Sequence, residues 1–307
     1  MPEKNPGRNF HRRVRRAFRV HCERMPETPT VVLTIAGFDP SSGAGVTADI
    51  KTIAAHGCYG VACITAMTVQ STAGVRRVDP CDPGLIADTL QELAGDVKIA
   101  AVHIGMLGSG KVARAVAEFL AKKKLPNVVL DPILKSSSGA ALLDRDGEKV
   151  LASDLLALAA VVTPNVEEAA GLTGLPVTDL DQMRSAAAKL HKMGAQSVVV
   201  TGGHLDKAID LLSFQTRRGV EQEVFKSERQ RSNSTHGTGC AFATAMACHL
   251  ALDRGLPEAV LLAKAYVSAA ISKGQPLGKG VGPVHHLYRM QQQRRPGTAV
   301  PEAEQVH

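Results

Sequence analysis

The sequence predicts an α/β fold: a mainly parallel sheet with helices on both faces. Three observations support this. From residue 31 onward, short apolar runs alternate with helical patterns of roughly 10–15 residues, the signature of parallel strands joined by crossover helices. Gly-rich or polar clusters follow the runs at 37–45, 68–74, 105–110, 131–139 and 201–204, where sites in such sheets lie beyond the strand ends. Apolar residues make up 44% of the 307 residues, enough for a large core.

Taken in order, 31–36 (VVLTIA) is a continuous apolar run and reads as a buried strand. A helix follows at 44–56 and stops at Gly57, whose freedom at positive φ suits a helix end. Residues 60–68 form a second strand and 83–94, opened by Pro83, a second helix. Then come a strand at 99–105, a helix at 111–123 and a strand at 127–131. Residues 159–163 make a strand halted by Pro164, and 166–173 the next helix. A helix at 180–193 leads to a strand at 197–201. Two short runs, 208–214 and 220–225, are spaced like a hairpin near a sheet edge, and helices at 240–253 and 257–272 close the fold. One domain spans 30–288, with a basic arm at 1–29 before it and a Gln-, Arg- and Pro-containing tail expected to be disordered at 289–307.

The net charge of +7 resembles a nucleic-acid signal, but its distribution argues against one. Residues 1–24 hold eight basic and two acidic side chains, so the remaining body carries a net +1. For the arm, four readings stand: a start at Met25 rather than Met1, a disordered basic arm, a transit peptide, or a helix touching RNA or membrane. Aromatics are 3% and Trp is absent, unlike a base-stacking platform. No apolar stretch is long enough to span a membrane. The six cysteines form no C-x-x-C pair, so free thiols in a reducing cytoplasm are expected.

The segment Ser234-Thr235-His236-Gly237-Thr238-Gly239-Cys240 is the most informative. A Gly-rich turn meets the start of a small-residue helix, where backbone N–H groups lack intrahelical partners and the helix dipole is positive. Such a turn binds phosphate. Cys240 places an ionisable thiol beside it. The stretch Gly105 to Val112 imitates a P-loop, but Val112 offers no hydroxyl for Mg²⁺ where the pattern needs Ser or Thr.

Several segments, taken together and in order, resemble the hydroxymethylpyrimidine/phosphomethylpyrimidine kinases of thiamine biosynthesis. They are Val32–Gly45 with Ala48–Thr52, Tyr59-Gly60, Ile64–Gln70, Ile104–Leu107, Leu130-Asp131-Pro132, Thr163–Ala169, Gly202-Gly203-His204, Thr235–Cys240 and Gly278–His285. The resemblance covers residues 31 to 287. It implies a three-layer ribokinase-like fold, ATP and Mg²⁺ as cofactors, and two successive phosphorylations of 4-amino-5-hydroxymethyl-2-methylpyrimidine. It also implies a homodimer.

The resemblance assigns roles to individual residues. Gly237, Thr238 and Gly239 supply the anion hole for the transferred phosphoryl group, and Cys240 faces the substrate hydroxymethyl group as base or orienting group. Gln70 reads the aminopyrimidine edge, since a primary amide offers an acceptor beside a donor. Gly37 lets the substrate approach the backbone, while Asp49 and Met106 line the pyrimidine site. Asp131 and Glu168 serve Mg²⁺, and Asn165, a rival N-cap, stands near the phosphates. Thr201 occupies a position where many relatives carry Lys, and Lys135 is the candidate to replace that charge. Phe38 stands where many relatives have Ser or Thr, and Ser42 where many have Gly. A pyridoxal kinase and a non-catalytic pyrimidine sensor remain as alternative functions.

Overall fold

The computed structural model describes residues 28–136, 138–203, 208–227, 230 and 232–292. Nearly all of the basic arm, His204 and the tail beyond 292 lie outside the described residues. Nine strands form one sheet in the order β3-β2-β1-β4-β5-β6-β7-β8-β9. They are β1 Val31–Phe38, β2 Tyr59–Ser71, β3 Gly74–Pro80, β4 Ile99–Ile104, β5 Val128–Leu130, β6 Val161–Val162, β7 Ser197–Gly202, β8 Ala208–Thr216 and β9 Gly219–Ser227. The six strands from β2 through β7 pair in parallel, and β3, β8 and β9 add antiparallel pairs at the two edges.

Successive side chains on the central strands point to opposite faces. Leu33 and Ile35 of β1, with Val102 and Ile104 of β4, enter one core under α2 (Pro83–Asp96), α3 (Gly110–Lys123), α6 (Val166–Thr173) and α7 (Leu180–Lys192). Val32, Ala101, Val129, Val161 and Val199 enter a second core under α1 (Gly45–Ala55), α8 (Thr238–Ala251) and α9 (Leu256–Ser272). The continuous apolar strands follow from this double burial, and the three layers expected from the resemblance are present.

Several boundaries differ from expectation for physical reasons. The 68–74 cluster is not a plain loop: β2 runs on to Ser71, turns at Gly74 with φ +133°, and returns as β3. Its residues Val75-Arg76-Arg77-Val78-Asp79 give little apolar signal because the strand lies at an exposed edge. Between Asp131 and Val161 a short helix α4 (Arg145–Val150), a π-helical turn (Leu151–Leu155) and α5 (Leu156–Leu158) pack Val150, Leu151 and Leu155 into the first core. The segment expected to be a disordered tail begins instead within a helical turn, α10 (Tyr288–Gln292), and the Arg289 guanidinium lies 5.1 Å from the Tyr266 ring centre.

Candidate active site

The C-terminal ends of β1, β2, β4, β5, β6 and β7 open on one edge of the sheet, so Gly37, Gln70, Met106, Asp131, Asn165 and Thr201 come to a common rim. The strand order reverses direction between β1 and β4, the place where α/β sheets leave a crevice. Gly37 and Met106 straddle it. A side-chain carbon on Gly37 would come within 2.8 Å of Met106 Sδ, so the Met106 side chain packs on the Gly37 backbone where only glycine leaves room for it. Met106 is buried against Ala66 and Leu142.

The start of α8 closes the crevice. Gly237 is its N-cap at φ +81°, with no side-chain cap, and a carbon there would lie 1.8 Å from the Gly43 carbonyl oxygen. Ala241 N–H donates to the Gly237 carbonyl at 2.9 Å as the first turn closes. The N–H groups of Gly239 and Cys240 precede that turn and have no helical acceptor. Gly239 is exposed, while Cys240 is buried behind it. A carbon on Gly239 would stand 3.7 Å from Asp131 Oδ2, which puts the β5 carboxylate beside the anion hole.

The electrostatics are lopsided. Burial pushes the Asp131 carboxyl well above the usual carboxylate range, and Glu168 and Asp49 push it further. Glu168 is raised to about 7, chiefly by burial, with Glu167 adding and hydrogen bonds from Asn165 opposing. Burial and these same carboxylates hold the Cys240 thiol well above its ordinary value, against one favourable backbone contact at Gly45. Cys240 is therefore a neutral thiol at physiological pH, which favours its orienting role over the thiolate base.

Asn165 and Glu168 form a capping box at the start of α6. Asn165 N–H donates to Glu168 Oε2 at 2.9 Å, and Glu168 N–H to Asn165 Oδ1 at 2.9 Å. The N-cap role is thus real, and it fixes the Glu168 carboxylate near the rim. Thr201 pairs with Asn165 across the strand ends through its N–H to the Pro164 carbonyl, 2.9 Å. Lys135 is exposed in the loop after β5, bridged to Ala141.

Asp49 requires a correction. The expectation put it against the pyrimidine, but it is fully buried between α1, the sheet and α8. Its Oδ2 accepts from Thr34 Oγ1 at 2.6 Å and lies 3.2 Å from His103 Nδ1, and its Oδ1 accepts from Thr244 Oγ1 at 2.8 Å. Both oxygens are therefore occupied, and Asp49 ties α1 to α8 one turn below Cys240.

Two residues were missed as site residues. Asp39, buried at the end of β1, accepts from Ser41 N–H at 2.8 Å, Ser41 Oγ at 2.7 Å, Gly43 N–H at 3.2 Å and Ala44 N–H at 2.9 Å. His236 Nε2 lies 2.8 Å from Asp39 Oδ2 and 3.4 Å from the Gln70 amide. Burial acts to raise the Asp39 carboxyl, yet bonds from His236, Ser41 and Ala44 outweigh it and hold the group below its usual value. His236 stood in the anion-hole segment all along, but nothing in the sequence joins it to an aspartate 197 residues away.

Comparison with known proteins agrees with this arrangement. The family model described as phosphomethylpyrimidine kinase matches residues 39–285. A hydroxymethylpyrimidine/phosphomethylpyrimidine kinase of Streptomyces coelicolor is 41% identical over 262 residues, covering 85% of this chain and 96% of that protein. The thiamine biosynthesis bifunctional protein of Geobacter sulfurreducens is 43% identical over 258 residues; 83% of this chain is matched, but only 52% of that protein's length. Among solved structures, an ADP complex of Bacillus subtilis pyridoxal kinase superposes with a TM-score of 0.78 at 34% identity, covering 86% of this chain and all of that one. The match over residues 39–285, with a relative 41% identical along nearly its whole length, shows that the chain belongs to the phosphomethylpyrimidine kinase family.

Proposed function

We propose that this protein transfers the γ-phosphoryl group of ATP to 4-amino-5-hydroxymethyl-2-methylpyrimidine, and then a second phosphoryl group to the monophosphate, for thiamine biosynthesis. The observation that carries this reading is the exposed start of α8. Its free N–H groups stand beside Asp131 and Cys240, and the Gln70 amide lies 3.4 Å from His236 just before it. Fixed dipoles there stabilise charge on the phosphoryl group in flight more than in the ground state. The transition state is loose, so the substrate hydroxyl keeps its proton until late and needs alignment more than a strong base. Cys240, held neutral, supplies that alignment. As the oxygen–phosphorus bond forms, the bond to the β-phosphate oxygen breaks, the hydroxyl proton passes to an oxygen of the transferred phosphoryl group and on to solvent, and ADP leaves.

Asp131 and Glu168 suit Mg²⁺. Among the described residues no group of three or more acidic, His or Cys side chains forms a metal cage. A pair of carboxylates matches a cation that keeps most of its water and takes its other ligands from phosphates. Asp131 and Glu168 would hold Mg²⁺, which would supply positive charge against the phosphates. We assign Asn165 and Thr201 to the phosphate chain, and Lys135 as the replacement for the missing family Lys.

The five cysteines of the described part are unpaired, as a reducing cytoplasm keeps them. Among the described residues no helix is long and apolar enough to cross a membrane. The β2 strand exposes Ile64, Met67 and Val69, an apolar row that a second copy would cover in a homodimer. A monomer by light scattering at micromolar concentration would remove that part of the proposal.

Pyridoxal phosphorylation is the second reading, favoured by the close superposition on a pyridoxal kinase. The deciding experiment measures phosphoryl transfer from Mg-ATP to hydroxymethylpyrimidine, its monophosphate and pyridoxal, with wild type, Cys240→Ser and Cys240→Ala. Turnover of both pyrimidines with weak use of pyridoxal is expected. The Ser variant should keep activity within about tenfold and the Ala variant should lose about a hundredfold. Pyridoxal turnover alone would move the protein to the second reading. Tight pyrimidine binding without turnover would make it a sensor.

A further inference from the structure

Gln70 makes two lateral contacts, and as drawn they conflict. The amide nitrogen lies 3.4 Å from His236 Nε2, and the amide oxygen 3.2 Å from Thr68 Oγ1. His236 Nε2 also lies 2.8 Å from the Asp39 carboxylate, an acceptor only, so this nitrogen must carry a hydrogen in the neutral ring and in the charged one alike. Two N–H donors would then face each other. On the other side, the single Thr68 hydroxyl hydrogen is already directed at the Phe38 carbonyl, 2.9 Å away. Turning the Gln70 amide over removes both conflicts, and the two ends of a carboxamide have the same shape. The nitrogen then donates to Thr68 Oγ1, and the oxygen faces the His236 Nε2 hydrogen at 3.4 Å as the weaker acceptor of a bond shared with Asp39.

We infer that the Asp39–His236 pair is a positioning device that fixes the Gln70 amide in one orientation, and so sets which donor–acceptor order the site reads on the pyrimidine edge. The inference rests on the proposed contact between Gln70 and the aminopyrimidine. The two lateral partners use one lone pair of Oε1 and one hydrogen of Nε2. The remaining lone pair and hydrogen lie side by side at the far end of the amide. They match a 4-amino donor beside a ring-nitrogen acceptor. A 4-oxo pyrimidine presents the reverse order, an oxygen acceptor beside an N–H donor, and meets repulsion unless the amide turns over. Asp39 is itself held by Ser41, Gly43 and Ala44, so the orientation is anchored in the β1–α1 loop rather than in the substrate.

The test compares kcat/KM for hydroxymethylpyrimidine and its 4-oxo analogue within each of wild type, His236→Ala, Thr68→Val and Gln70→Ala. Taking the ratio within one variant cancels any damage to the adjoining anion hole. Wild type should prefer the amino compound by about a hundredfold or more, as sites that lose a buried polar match do. His236→Ala frees the amide to turn, so the ratio should fall at least about tenfold, mainly through KM. Thr68→Val, which removes the opposite partner, should lower it less, and Gln70→Ala should nearly abolish it. If His236→Ala does not fold by circular dichroism, Thr68→Val carries the test alone. A wild-type ratio preserved in every folded variant of His236 and Thr68 would overturn the inference while leaving the proposed function standing. Failure of wild type to phosphorylate the amino compound would instead remove the reading beneath it.

Discussion

Asp39 and Asp131 are both buried at strand ends on the same rim, yet their carboxyls shift in opposite directions. Asp39, on the β1–β2 side, is surrounded by donors: three loop N–H groups and a hydroxyl, with His236 across from it. Asp131, on the β5–β6 side, has Glu168 and Asp49 as electrostatic neighbours and is raised by burial. The substrate side is therefore complete before anything binds, and its geometry can discriminate. The nucleotide side is left with carboxyls whose ionisation the protein does not fully compensate, and a cation would finish it. Preorganisation sits where the substrate is chosen, and uncompensated carboxyls sit where Mg-ATP is proposed to arrive.

The sharpest way to break the complete side is Gly237→Ala. The methyl group would meet the Gly43 carbonyl oxygen at 1.8 Å, in a backbone conformation with φ +81° that Ala adopts only with strain. The β1–α1 loop and the start of α8 cannot both stay in place. A kcat loss of about 10²–10³-fold is expected from displacement of the anion hole, measured in steady-state assays with saturating Mg-ATP. Activity within threefold of wild type would mean that the close approach of Gly43 and Gly237 does not hold the hole.

The incomplete side should reveal itself through pH. Glu168 has its folded value raised to about 7, above the ordinary 4.5. The folded protein thus binds the proton more tightly than the unfolded chain does. The stability this contributes is fully present below about 4.5 and is lost as pH rises through about 7. Asp131, raised by burial and by Glu168, acts in the same direction. Thermal melting of the metal-free protein from pH 5 to pH 8 should show Tm falling across this window. Glu168→Gln should flatten the fall, and so should saturating Mg-ATP, because a cation favours the ionised carboxylates. A Tm that rises with pH in the metal-free protein would contradict the assignment of uncompensated carboxyls.

The same comparison explains what could be read from the sequence. The parallel core was legible because strands buried on both faces are continuous apolar runs, and the 166–173 helix was placed to the residue by Pro164 and Asn165 before it. The anion hole was legible because its glycines and Cys240 are contiguous. Edge strand β3 was not, since an exposed strand of charged residues carries no apolar alternation. Asp49 was misplaced because its position one helical turn into α1 is shared by rim-facing and core-facing side chains; Thr34, His103 and Thr244, distant in sequence, decide which it is. The Asp39–His236 pair was invisible for the same reason. Local chemistry identifies groups, and only the fold supplies partners as far off as the 197 residues between Asp39 and His236.

The smallest expected effect probes how much strain the complete side tolerates. Ser42 sits at φ +60°, where many relatives carry Gly, between Asp39 and Gly43 in the loop that carries the carboxylate's donors. Its N–H donates to the Asp39 carbonyl at 3.0 Å, and its carbonyl accepts from Lys51 Nζ at 2.8 Å; both are backbone groups that survive a change of side chain. A left-handed conformation costs a non-glycine residue about 1–2 kcal/mol, while glycine gives back roughly 0.5–1 kcal/mol in unfolded-state freedom. Ser42→Gly should therefore stabilise the protein by about 0.5 kcal/mol, a Tm rise of about 1–2 °C for a domain of this size. The bonds to Asp39 and Lys51 should persist, so selectivity between amino and oxo pyrimidines should stay at the wild-type ratio. A stability gain accompanied by lost selectivity would show that the strained Ser42 backbone itself helps to hold Asp39 against His236, and that the complete side depends on strain as well as on hydrogen bonds.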